Sequence, residues 1–206
     1  MTRISADAAG IERAARVIRE GGVVAIPTDT LYGLAADPFN ADAVARIVDG
    51  KERPAERALP LIAADIDQVV ARLGALPAMA ARLAARFWPG PLTLVISAPA
   101  ALAPAVSGAT GRVGVRVPAH DVARALCRAC NSPLTATSAN ISGAAASASP
   151  DELARTIGSR IDLLLDAGPT PGGAPSTVVD VTGAEPRLLR AGAVAWSEVI
   201  ACVDRA

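Results

Sequence analysis

The chain has 206 residues, of which 51% are apolar, enough for one domain with a sizeable core. Aromatics make up only 2%, so that core has to be built from Ala, Val, Leu and Ile. Formal net charge is zero and the pI is about 6.6, which excludes a uniformly basic nucleic-acid binder; any nucleotide or RNA contact must come from local clustering of charge.

Helical and strand-like segments alternate along the chain. Residues 7–20 read as a helix with Ile11, Ala14, Ala15 and Ile18 on one face and Gly21-Gly22 as its stop. Val23 to Ile26 is a short buried strand ended by Pro27. Asn40 caps a helix running to Asp49. Leu59 to Ala63 reads as a strand, and Asp65 caps the next helix. An Ala/Arg-rich helix at 77–88 ends at Pro89-Gly90-Pro91. Strands follow at 92–97 and 112–117, then a helix at 119–130 and a strand at 134–137. Ser149-Pro150-Asp151-Glu152 has the order of a helix start, with Ser as N-cap, Pro at the first helical position and Glu at the third. Strands fit at 162–165, 177–181 and 187–190, and the Gly/Ala/Ser/Pro stretches at 142–149 and 167–175 are loops.

The expected fold is therefore α/β of the α+β type. It is a single domain over 1–206 with a mixed, twisted sheet flanked by helices. Consecutive strands without an intervening helix, at 92–97 and 112–117, rule out a regular β-α-β alternation. No G-x-G-x-x-G follows the first strand and no Walker A sequence is present, so the common dinucleotide and P-loop motifs are missing.

The N-terminal stretch has no apolar run of the signal-peptide kind, and no segment reaches the length of a membrane span. Three cysteines make an odd count for a disulfide framework. A cytoplasmic protein without membrane contact is expected. Cys127 and Cys130 form a C-x-x-C to which Cys202 and His120, the lone histidine, could be added as zinc ligands. The pair lies in a helical stretch, however, where residues three apart share a face and Cys packs as a small hydrophobe.

Four segments interrupt the apolar pattern at strand ends. In Pro27-Thr28-Asp29-Thr30-Leu31-Tyr32-Gly33-Leu34, two hydroxyls flank a carboxylate after a buried strand. They suit an amino acid or a metal-bound phosphate, or equally a strand-to-helix cap. Lys51, the one lysine beside nineteen arginines, opens the cluster Lys51-Glu52-Arg53-Pro54-Ala55-Glu56-Arg57. A compact ammonium beside planar guanidinium forks suits polyphosphate, although charge runs are also common on solvated loops. Thr137-Ser138-Ala139-Asn140-Ile141-Ser142-Gly143 runs from a strand into a turn of hydroxyls and an amide, a type of turn that offers N–H groups to anions or simply leads into a loop. Finally, Ser176 and Arg190 mark the ends of two late strands that could also form a surface hairpin.

Together these segments resemble, in order, the YrdC/Sua5-type family of threonylcarbamoyl-adenylate synthases of tRNA modification. P-T-[ED]-T-x-Y-G-L stands at 27–34, K-x-R-P at 51–54 and V-R-V-P at 115–118. S-A-N-x-S-G stands at 138–143, P-S-T-V-V-D at 175–180 and L-R-x-G at 189–192. The resemblance spans residues 8–195. The chain departs from the family pattern at Asp29, where Glu is more usual, and at Ala191, where Pro is frequent. A further departure lies near Ile62, where many members have a His.

The resemblance implies a YrdC-like domain with an open, concave, basic cleft and without the extra C-terminal domain of longer members. It implies that L-threonine, bicarbonate (or CO2) and ATP give threonylcarbamoyl-AMP and pyrophosphate, for threonylcarbamoyladenosine in tRNA. By the same resemblance, Lys51 and Arg53 are catalytic. Lys51, Arg53, Arg57, Arg112, Ser138, Asn140 and Arg190 bind ATP. Thr28, Thr30, Tyr32, Arg116, Ala136 and Ser176 bind threonine. Mg2+ comes with ATP, and Asp29 is the one candidate protein ligand for it. Implied partners are ATP, threonine, bicarbonate, the downstream tRNA threonylcarbamoyl-transfer proteins, and tRNA or double-stranded RNA itself.

Two rivals stand beside this reading. One is an RNA-binding module without chemistry, using Arg82 and Arg86 one helical turn apart. The other is the related carbamoyl-adenylate domain of hydrogenase-maturation proteins, which normally sits in a much longer chain with zinc-finger-like cysteine pairs.

Overall fold

The computed structural model describes residues 1–52, 58–141 and 147–204. It is a mixed α/β domain whose described strands form two sheets. The first runs β1 (Thr2–Ser5), β9 (Leu163–Asp166), β2 (Val24–Ile26), β3 (Gly33–Ala35) and β8 (Thr137–Ser138). The second runs β11 (Arg187–Arg190), β10 (Thr177–Asp180), β5 (Leu92–Ser97), β6 (Arg112–Arg116), β4 (Leu61–Ile62) and β7 (Leu134–Thr135). Each mixes parallel pairs, such as β2 with β9 and β10 with β5, with antiparallel ones, such as β2 with β3 and β5 with β6.

The helices start where short polar side chains meet the apolar period. Asp7 accepts from the N–H of Gly10 to open α1 (Ala8–Arg19), and Asn40 accepts from those of Asp42 and Ala43 to open α2 (Ala41–Gly50). Asp65 does the same for Gln68 in α3 (Ile66–Leu73). The α4 helix (Ala78–Phe87) follows a proline instead, and the short α5 (Pro104–Ser107) begins on one. After α6 (Asp121–Cys130), the Ser149 cap accepts from the Glu152 N–H at the start of α7 (Pro150–Ile157), and α8 (Trp196–Val203) closes the described elements. Each such side-chain cap satisfies at least one of the orphan N–H groups of a first turn.

Two apolar clusters hold the layers together. One joins α2, α4, α7 and α8 to both sheets through Ile47, Leu83, Leu153, Val199, Leu34 of the first sheet and Leu94 of the second. The other lies under α1 and α6, where Ile18 and Leu126 pack with Ile26, Leu134 and Leu165.

Two expectations need correction. The single mixed sheet is two sheets, and the strand at 134–137 is divided between them. Thr135 pairs with Leu61 in the second sheet, while Thr137 pairs with Leu34 in the first. Ala136, between them, donates its N–H to Pro60 O at 2.8 Å. Buried Thr135 completes the seam, its Oγ1 accepting from Ala36 N at 2.9 Å and donating to Leu34 O at 3.2 Å. Secondly, the segment after Pro27 leads into β3 rather than a helix, so Thr28 and Asp29 are turn residues of an antiparallel pair.

Among the described residues no helix is long and apolar enough to cross a membrane.

Candidate active site

The period of two along the second sheet builds one wall of an open cleft of about 610 Å³. On β5, Leu92 and Leu94 point into the core while Thr93 and Val95 line the cleft. On β6, Val113 and Val115 are core and Gly114 and Arg116 line it. On β10, Thr177 and Val179 are buried, whereas Val178 and the preceding Ser176 face the cleft, next to Arg190 of β11. The facing wall comes from the β2–β3 turn, with Thr28, Thr30, Leu31 and Tyr32, and from Ala136, Thr137 and Ser138 at the seam.

The turn is braced from within. Thr28 Oγ1 donates to Leu31 O at 2.7 Å and receives the Thr30 N–H at 3.2 Å. Tyr32 belongs to the cleft lining, but its hydroxyl is committed elsewhere. It donates to Gly168 O at 2.8 Å and accepts from Ala167 N at 3.3 Å. Burial, opposed by the Ala167 bond, raises the phenol pKa above its usual value.

Asp29 meets Arg116 at 2.7 Å and also accepts the Ala119 N–H at 3.3 Å. Both of its oxygens are engaged, which suits an ion-pair partner better than a metal ligand. Among the described residues no three His, Cys, Asp or Glu side chains converge as a metal site.

Arg190 folds back on Ser176. It donates to the carbonyl oxygen at 2.8 Å and to Oγ at 3.0 Å. Among the described residues it has no carboxylate partner. Burial, then the Arg116 charge, lowers its pKa. Gly192 allows this closeness, because a Cβ there would lie 2.3 Å from Pro175 O.

Lys51 is the C-cap of α2 and only 3% exposed. Its ammonium donates to Ser138 O at 2.6 Å, Asn140 O at 2.7 Å and Asn140 Oδ1 at 3.1 Å. Ser138 Oγ in turn donates to Asn140 Oδ1. The two motifs, 87–89 residues apart, are thus joined by one cation.

The remaining candidates are more dispersed. Arg112 lies on the cleft side of β6 but outside the cleft lining, bound to Asp180 at 2.7 Å. Burial pushes the Asp180 pKa up. The two Thr182 bonds and the charges of Arg112 and Arg187 outweigh it and hold that pKa below the usual carboxylate value. Ile62 lines the cleft as an apolar residue. Arg53 and Arg57 lie outside the described residues, as do Ser142 and Gly143. Cys127 is fully buried, its thiol donating to Ile62 O at 3.7 Å, and burial pushes its pKa up. Burial likewise raises Cys130 to about 12. The pair therefore packs as hydrophobes on α6. Sequence reasoning missed Thr93 and Gly114. The signal for Thr93 was a lone hydroxyl at an alternate position of an otherwise apolar strand.

The family described as telomere recombination, comprising Sua5, YciO and YrdC, matches residues 16–192. The threonylcarbamoyl-AMP synthase of Pyrococcus abyssi is 40% identical over 189 residues, covering 92% of this chain and 56% of that protein. The protein of the same name from Halorhodospira halophila is 45% identical over 155 residues, covering 75% and 81%. The crystal structure of P. abyssi Sua5 complexed with L-threonine superposes with a TM-score of 0.90 at 38% identity, covering 98% of this chain and 59% of that one. Escherichia coli YciO gives 0.83 at 26% identity, covering 94% and 96%. The chain spans little more than half the length of the P. abyssi and Bacillus subtilis relatives, 56% of each. With the family matched over most of its length and the same fold in solved relatives, the chain belongs to the Sua5/YciO/YrdC family.

Proposed function

We propose that the chain is an L-threonylcarbamoyladenylate synthase, joining L-threonine, bicarbonate or CO2 and the α-phosphate of ATP with release of pyrophosphate. The observation that carries this reading is the cleft itself. Two arginines, Arg116 and Arg190, share it with the Thr28, Thr30 and Ser176 hydroxyls, and the Lys51-braced Ser138–Asn140 turn closes one side. The relatives named threonylcarbamoyl-AMP synthase and the threonine-bound P. abyssi structure support the same chemistry.

The threonine amine takes up CO2 as a carbamate, a carbamate oxygen attacks the α-phosphorus, and pyrophosphate leaves. Such a reaction requires positioning and charge neutralisation rather than an enzyme nucleophile. Arg116 holds the threonine carboxylate with Ser176 beside it, while Thr28, Thr30 and the Ala136 backbone contact the rest of the amino acid. Ser138, Asn140 and Arg190 hold the nucleotide, and Lys51, with Arg53 and Arg57, supplies positive charge toward the phosphates. Mg2+ enters as part of the MgATP substrate. The adenylate then passes to tRNA threonylcarbamoyl-transfer proteins. An RNA-binding role draws no support from α4, where exposed Arg82 and Arg86 stand and the Arg86 guanidinium lies 5.1 Å over the Phe87 ring.

Pyrophosphate release tests the reading. It is expected only when ATP, threonine and bicarbonate are all present. Release independent of threonine would overturn it.

A further inference from the structure

Thr93 has no role in the chemistry above, yet it is 6% exposed, and its Oγ1 lies 2.8 Å from Ser176 Oγ. A hydroxyl has one proton to give and two lone pairs. Ser176 Oγ already accepts from Arg190 Nη2 at 3.0 Å. The Thr93 hydroxyl has no partner among the described residues other than Ser176, so its proton has one acceptor within reach. Were Ser176 the donor, the Thr93 proton would lose its one protein acceptor among the described residues at a cleft-wall position only 6% exposed, a costly arrangement. Thr93 therefore donates, both Ser176 lone pairs are filled, and the Ser176 proton is turned outward into the cleft. The Thr93 methyl group faces Gly114 on the neighbouring strand. A Cβ there would stand 3.0 Å from Thr93 Cγ2, so its absence makes room for the methyl group.

We propose that Thr93 is a positioning residue, orienting the Ser176 hydroxyl as a hydrogen-bond donor to the carboxylate of the amino-acid substrate. This rests on the reading that the cleft binds threonine. An outward-turned donor beside Arg116 and Arg190 matches an anionic group, and a carboxylate is the anionic group of that substrate. The hydroxyl of Thr93 itself does not touch the ligand.

Calorimetry on the full chain, with threonine and with ATP, tests this in wild type, Thr93→Val, Thr93→Ser and Gly114→Ala. Val keeps the shape and removes the donor; Ser keeps the donor. Thr93→Val is expected to weaken threonine at least about tenfold, the worth of one hydrogen bond to a charged group. ATP affinity should stay within about twofold, and Thr93→Ser should recover most of the loss. Gly114→Ala, which crowds the methyl without touching the hydroxyl, is expected to weaken threonine selectively as well. In turnover, KM for threonine should rise in Thr93→Val while kcat at saturation holds. Equal loss for both ligands, no loss in Thr93→Val, or no rescue by Thr93→Ser would overturn the inference alone. A wild-type protein that binds ATP but no threonine would overturn the parent reading together with it.

Discussion

Arg116 and Asp29 form an ion pair at 2.7 Å beneath the β2–β3 turn, with side chains only 10% and 11% exposed. The contact uses one end of the Arg116 fork, Nη1, and leaves Arg116 on the cleft lining. Asp29 thus balances the arginine at rest, and in the proposed reading a substrate carboxylate would be its second partner. Removing one partner of such a buried pair leaves a charge uncompensated, which costs about 3–5 kcal/mol.

Asp29→Asn is accordingly expected to lower the melting temperature. It should also enlarge the stabilisation produced by saturating threonine, because the ligand carboxylate then supplies the missing counter-charge. Thermal shift with and without threonine checks both. An equal threonine shift in variant and wild type would place the carboxylate elsewhere.

Lys51 is buried and braces the Ser138–Asn140 turn, so its loss has two consequences. Lys51→Ala removes the bonds to Ser138 O and Asn140 O and is expected to cost roughly 1–3 kcal/mol in urea unfolding. Loss of its charge beside the nucleotide is expected to lower turnover by about 10²–10³. Lys51→Arg is the sharper variant, since a planar fork cannot reproduce three bonds converging on one nitrogen. Its turnover is expected to stay within about tenfold of Lys51→Ala. Wild-type turnover in Lys51→Arg would show that charge alone suffices.

Tyr32→Phe keeps the buried ring and removes the bonds to Gly168 and Ala167. A loss of about 1–3 kcal/mol in urea unfolding is expected, with a larger relative rise in amide exchange at Gly168 than in the core strands. Unchanged exchange there would contradict an anchoring role.

Burial lowers the His120 pKa below its ordinary 6.5 against the pull of Asp29 and Asp121, and among the described residues its Nδ1 has no hydrogen-bond partner. Just below 6.5 the unfolded chain binds a proton there that the folded protein refuses. The stability contributed is therefore fully present above 6.5 and is lost as pH falls through the lower folded value. Urea midpoints between about pH 7 and about pH 5 should fall more steeply in wild type than in His120→Gln. Parallel curves would assign the slope to other groups.

Much of this architecture was legible in the chain because it depends on local rules. Asn40, Asp65 and Ser149 announced their helices as short polar residues before an apolar period, and 92–97 and 112–117 announced strands by their Val, Leu and Ile residues. What was hidden depends on pairing partners distant in sequence. Gly33–Ala35 is too short to signal a strand and exists because Val24–Ile26 and Thr137–Ser138 pair on either side of it. Leu134–Ser138 looks like one strand because nothing in it marks the point where it leaves one sheet for the other. Of the polar segments, the structure places Thr28, Thr30, Ser138, Ser176 and Arg190 on the walls of the cleft. Spacing could not show that Arg116 would meet Asp29, that Arg112 would be held by Asp180, or that Lys51 would turn onto Ser138 and Asn140.

The most direct measurement is mass spectrometry of the product formed from ATP, Mg2+, threonine and isotope-labelled bicarbonate. A threonylcarbamoyl-adenylate that carries the label, formed together with pyrophosphate and absent without threonine, is the predicted result. An unlabelled threonyl-adenylate, or ADP and phosphate in its place, would contradict carbamate attack on the α-phosphate in this cleft.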